Sequence, residues 1–129
     1  MRLFLLIFVG GGIGSYARFL LSTWATAQWS LEFPYGTLLV NMIGCLLIGI
    51  IAGLPSAANS LPLPLRLALI TGFLGGLTTF SSYEYESFML LLKGDALRAC
   101  LNLTGSVVLG LGFLFLGYCL CRFGFSRTL

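Results

Sequence analysis

The residues best placed to do chemistry lie in one stretch, Gly72-Phe73-Leu74-Gly75-Gly76-Leu77-Thr78-Thr79-Phe80-Ser81-Ser82-Tyr83. Its glycines, threonines and serines interrupt an apolar segment that begins after Pro62 and Pro64 and ends at Lys93. Residues 63–92 as one helix would run roughly 45 Å, against about 30 Å of hydrocarbon in a bilayer. The composition therefore predicts a helix that breaks near its centre. A break within a membrane frees carbonyl and N–H groups, which persist there only when protein, water or an ion satisfies them. The chemistry expected of this stretch is ion or substrate binding.

Other polar residues sit in apolar runs at helical spacing. Thr37 and Asn41 are four apart and share a helix face, as do Asn102 and Ser106, with Gly110 continuing that face. Asn41 reads either as an interhelical hydrogen bond or as an amide donor to something in a pore. Arg18 lies inside the first apolar run, where a cation is costly. It either snorkels to the interface or places positive charge at the mouth of an anion pathway. Glu84 and Glu86 follow the expected break and point to different helix faces, which suggests an aqueous vestibule.

The elements that must position these residues are four membrane spans, about 3–24, 35–54, 63–92 and 96–121, in one all-α domain covering 1–129. Of the 129 residues, 58% are hydrophobic and 9% charged, against about 25% charged in a soluble domain; the mean hydropathy is +1.02. This is the composition of an integral membrane protein. A net charge of +3, spread along the chain, gives no footprint for nucleic acid. With no histidine, haem, zinc and imidazole acid–base chemistry lose their usual residue. Cys45, Cys100, Cys119 and Cys121 form no CxxC and read as small lipid- or helix-facing residues.

Gly10 and Gly14 have the small-xxx-small spacing of closely packed membrane helices. Arg2, the following apolar run and Ala25-Thr26-Ala27 mimic a secretory signal. The run is too long and is interrupted by Gly10-Gly11-Gly12 and Arg18, so a retained span is expected. Residues 25–34, with interfacial Trp29 beside Trp24, and 55–62 read as loops. Lys93-Gly94-Asp95 reads as a turn, with Asp95 capping the last span. Arg2, Arg66, Arg122 and Arg127 fall on one side of the membrane, and Lys93, Arg98 and the Arg18 end on the other. So weak an asymmetry gives the positive-inside rule little to act on, and insertion in both orientations is open.

Three motifs then converge: Gly11-Gly12-x-Gly14-x-x-x-Arg18, Gly36-Thr37-Leu38-x-Val40-Asn41-x-x-Gly44 and Gly72-Phe73-x-Gly75-Gly76-Leu77-Thr78-Thr79-Phe80-Ser81. Together they resemble the Fluc fluoride-channel family, also called CrcB-like, over essentially the whole chain. The resemblance implies an antiparallel, dual-topology homodimer of four-helix subunits in the cytoplasmic (inner) membrane, with narrow pores that pass fluoride passively, exclude chloride and reduce fluoride toxicity. It implies a third helix broken at the glycine–threonine motif, where the carbonyls of Gly75 and Thr78 hold a structural sodium ion on the two-fold axis. It also implies aromatic edges along the fluoride path at Phe80 and Tyr83. Tyr83 departs from the phenylalanine usual at its position, keeping a ring edge and adding a hydroxyl. Glu86 falls where the family carries a carboxylate; Glu84 has no familial counterpart.

The residues suit that chemistry. Thr37, Asn41, Thr79, Ser81, Ser82, Asn102 and Ser106 are uncharged donors able to replace fluoride's water while still letting it leave. Aromatic edges carry the positive part of the ring quadrupole. Arg18 and Glu86 would stand in the vestibule. The competing reading is a small proton-coupled multidrug or cation exporter, which needs a membrane-embedded carboxylate early in the chain; the first span has none. A third is a non-transporting assembly factor, for which so many inward polar residues are excessive. No nucleophile–base pair points to an enzyme.

Overall fold

The computed structural model describes residues 1–29, 32–54 and 61–125. Ser30 and Leu31 of the expected 25–34 loop, residues 55–60 of the second loop, and Arg127 lie outside the described residues. In chain order the helices are α1 (Arg2–Gln28), α2 (Tyr35–Gly53) and α3 (Leu63–Leu67), then a π-helical stretch (Ala68–Leu74), α4 (Gly75–Leu77), α5 (Phe80–Leu92) and α6 (Ala96–Phe125). Four helical segments are long and apolar enough to cross a membrane: Arg2–Gln28, Tyr35–Gly53, Leu63–Leu92 and Ala96–Gly124. The chain is a multi-pass, all-helical membrane protein, with no strand among the described residues.

Two boundaries differ from the sequence expectation. Residues 25–28, expected in a loop, extend α1 by a further turn. Ala-Thr-Ala-Gln contains no helix breaker, and Ala25 is fully buried, so packing favours continuation. The helix ends at Gln28, and the ring of Trp29 at its cap meets Trp24 and Tyr35 edge-on. The last helix runs past residue 121 because Cys121 is still packed, and Arg122 in the final turn complements the helix dipole.

Glycines decide how closely the helices approach. α1 crosses the segment from Ala68 to Leu77 through Gly10, Gly14, Gly72 and Gly76. A Cβ on Gly72 would stand 2.8 Å from Ile7 O, and one on Gly10 would stand 2.6 Å from Ala68 O. Any side chain there would push the backbones apart, so the motif spacing in α1 becomes contact geometry. α2 lies along α6 in the same manner, with Gly49 and Gly117 each facing the other helix's backbone.

The α5–α6 seam is built differently, from hydrogen bonds. Asn102 is 1% exposed and donates to Ser87 Oγ at 2.9 Å; Ser87 in turn donates to Tyr83 O at 2.8 Å. The turn between these helices places Gly94 at φ 78, where a side chain is disfavoured. Asp95 Oδ1 accepts from Arg98 N at 3.1 Å and caps α6. Arg98 also bridges Asp95 and Glu32, tying this turn to the α1–α2 connection.

Candidate functional site

The regular hydrogen-bond pattern stops at Leu77 and restarts at Phe80. Between them Thr78 (φ −89°, ψ 156°) and Thr79 (φ −148°, ψ 125°) are extended. Their side chains repair part of the interruption. Thr78 returns both its N–H and its Oγ1 to Leu74 O, at 3.0 and 2.9 Å. Thr79 Oγ1 accepts from Ser82 N at 3.2 Å and so caps α5. Just upstream, Gly75 N–H reaches back to Ile70 O, a five-residue bond that widens the helix before it ends.

Asn41 completes the repair from α2. Its Nδ2 donates to Thr79 O at 3.1 Å, and its Oδ1 accepts from Thr79 N at 2.9 Å. The side-chain amide thus acts as a strand-like partner for one extended residue. The bond has a consequence upstream. In a continuing helix the N–H of Thr79 would go to Gly75 O; here it goes to Asn41, and the Gly75 carbonyl loses that donor. Gly75 itself is exposed. Thr78 O accepts from Arg18 Nη1 at 3.4 Å. These are the two carbonyls that the resemblance singled out. Among the described residues, no three His, Cys, Asp or Glu side chains gather where they could share a metal.

Two cavities meet at Thr79. One, of about 450 Å³, is mainly apolar; Asn41, Cys45, Gly75, Thr78, Thr79, Phe80, Tyr83 and Ser106 are in its wall. Phe80 is 73% exposed in the single chain, whereas Tyr83 is 7% exposed; their ring centroids are 5.6 Å apart at 47°. The other, of about 880 Å³, carries Ser15, Arg18, Ser22, Thr37, Thr79, Ser82 and Glu86. There Glu86 Oε1 accepts from Thr37 Oγ1 at 2.7 Å, while Oε2 is buried with no hydrogen-bond partner.

The residues singled out from the sequence are therefore divided. Asn41, Phe80, Tyr83 and Ser106 stand with Gly75 and Thr78 at the first cavity, and Arg18, Thr37 and Glu86 at the second; Thr79 belongs to both. Ser81 is exposed on the first turn of α5, 3.4 Å from Thr79 Oγ1. Asn102 lines neither cavity: it lies behind the wall, bonded to Ser87, with Ser106 Oγ 3.4 Å from its Oδ1. Glu84 is exposed.

Sequence reasoning missed Ser87 and the Leu103 carbonyl, which accepts from the Tyr83 hydroxyl at 2.9 Å. Ser87 carried a signal, being a polar residue four after Tyr83 on the same helix face. The Leu103 carbonyl carried none, because every residue has one.

Comparison with known proteins places this arrangement. The chain is 48% identical over 118 residues to a protein of Prosthecochloris aestuarii named fluoride-specific ion channel FluC, covering 92% of this chain and 91% of the relative. Proteins of the same name from Aquifex aeolicus and Chloroflexus aurantiacus are similar. The first is 46% identical over 112 residues (87% of this chain, 90% of the relative), the second 43% over 122 (95% and 97%). Residues 5–118 match the family model described as CrcB-like protein, Camphor Resistance (CrcB). That match takes in most of α1, the Asn41–Thr79 lock and both cavities, and the chain belongs to the CrcB-like protein family.

Proposed function

We propose that the protein is a fluoride-selective channel, not an enzyme, that lets fluoride leave the cell passively across the cytoplasmic membrane. The observation that carries this reading is the double hydrogen bond between Asn41 and Thr79. It holds an extended segment between two cavities, with the Phe80 and Tyr83 rings and the Asn41 and Ser106 side chains in the wall of the first. Fluoride crossing there would exchange water for the remaining Asn41 amide proton and the edges of Phe80 and Tyr83, with the Ser106 hydroxyl turning its proton from Asn102 Oδ1, 3.4 Å away, toward the ion. None of these is a fixed cation that would trap it. Arg18, at the second cavity, would concentrate anions at the mouth. The names of the relatives support the same ion.

The reading extends to a break within the membrane, a second copy and a cation. Thr78 and Thr79 fall near the middle of the segment Leu63–Leu92, so a span formed by it would be broken at depth. One chain leaves Phe80 and Gly75 uncovered. An antiparallel second copy, compatible with the weak charge asymmetry, would cover them and complete the wall. The Gly75 and Thr78 carbonyls fit a sodium ion in donor type. Two from each copy would surround it, and the bound charge would offset the negative field of those carbonyls toward a passing anion.

The test is efflux from liposomes holding purified protein, read with a fluoride electrode and repeated with chloride. Fast fluoride loss down its gradient with negligible chloride loss is expected. No fluoride flux from well-folded protein would refute the reading.

A further inference from the structure

Tyr83 carries a hydroxyl on a ring that lines the apolar cavity. A phenol has one proton to donate, and this one goes to Leu103 O in α6 at 2.9 Å. It is therefore not offered to an ion in the cavity. Leu103 is one turn before Val107 and close to Ser106, and both of those line the same wall. A second tie lies one turn along α5, where Asn102 bonds Ser87 and Ser87 bonds the Tyr83 carbonyl. Residue 83 is thus held at its backbone and at the far end of its ring. Phe80, the ring paired with it, is exposed.

An unanchored ring swings about its Cα–Cβ bond, and the aperture beside it widens and narrows as it does. A ring whose para position is bonded to a helix backbone must break that bond to tilt out of the wall. Fluoride and chloride differ chiefly in size and hydration, so a wall that discriminates between them needs a fixed edge. We propose that the Tyr83 hydroxyl is a latch: it positions the ring edge against α6 and thereby sets the discrimination against the larger halide, without itself touching the anion. This rests on the fluoride-channel reading and deepens it.

The experiment compares wild type, Tyr83→Phe and a protein carrying 4-aminophenylalanine at position 83, which restores a donor at the same place. Fluoride and chloride efflux from liposomes are measured over a range of concentrations. In Tyr83→Phe the ratio of chloride to fluoride efflux is the readout. Chloride leak rises about fivefold, the rate equivalent of one neutral hydrogen bond of about 1 kcal/mol. The amino variant returns chloride leak toward wild type. A several-fold fall in fluoride efflux with chloride exclusion intact would make the hydroxyl an anion ligand and overturn the latch. Identical behaviour of wild type and Tyr83→Phe would overturn it as well, leaving the channel reading in place. A wild type that passes no fluoride overturns both.

Discussion

The two cavities that share Thr79 handle polar groups in opposite ways. At the apolar cavity the polar side chains are largely engaged within the protein: Asn41 with the Thr79 backbone, Tyr83 with Leu103 O, Ser106 beside Asn102. The rest of that wall is largely aliphatic and aromatic, with Met42, Ile70, Leu74 and Val107 beside the two rings. At the polar cavity charge is left less satisfied. Arg18 has one long hydrogen bond, 3.4 Å to Thr78 O, and Glu86 keeps one carboxylate oxygen without a partner. A wall with its hydrogen bonds closed is rigid and gives a defined aperture. A pocket with open charge attracts and exchanges ions but holds no fixed geometry. On the channel reading proposed above, the first region would select and the second would capture.

The sharpest way to break that contrast is to put a charge into the selecting wall. Asn41→Asp removes the donor to Thr79 O and adds a carboxylate beside the ion path. Fluoride efflux should fall by about a hundredfold, the kinetic equivalent of about 2.7 kcal/mol. Unchanged flux in liposomes would take Asn41 out of the pathway. Phe80→Ile keeps an apolar group of similar bulk and removes the ring edge. If edge electrostatics contribute about 1 kcal/mol, efflux drops by roughly five- to tenfold, and full activity would reduce Phe80 to packing.

Changes in the capturing region should be smaller and should depend on salt. Arg18→Gln removes a cation whose effect on an anion in water is on the order of 1 kcal/mol at contact. Efflux is expected to slow about fivefold at low ionic strength and to approach wild type as salt is raised. A salt-independent loss would mean that Arg18 acts through Thr78 O rather than through its field. Smallest of all, Tyr83→Phe should leave the fluoride rate within about twofold, since the ring edge survives and only its anchor is lost. A large loss of fluoride rate there would move the hydroxyl from the supporting structure into the path.

By itself the sequence determined the membrane character, the number of spans and the stretch around which the molecule is arranged. Those follow from hydropathy, segment length and breaker residues, all local properties of a chain that must satisfy its backbone within lipid. It also marked Asn41 as a residue needing a polar partner, because an amide in an apolar helix cannot be left alone. What it did not determine is the partner. Asn41 with Thr79, Thr37 with Glu86, Asn102 with Ser87 and Tyr83 with Leu103 O are separated by 38, 49, 15 and 20 residues. No spacing rule links such positions; the approach of α2 to Thr79 and α5, and of α5 to α6, does. The end of α1 was misplaced for a related reason: burial of Ala25 outweighed the loop-like reading of its surroundings. Only the tertiary structure decided that the polar residues fall into two cavities, that Asn102 stands behind the wall, and that Gly75 O loses its helical donor. Those outcomes depend on which hydrogen-bond partner wins when several are within reach, and that competition is settled by packing.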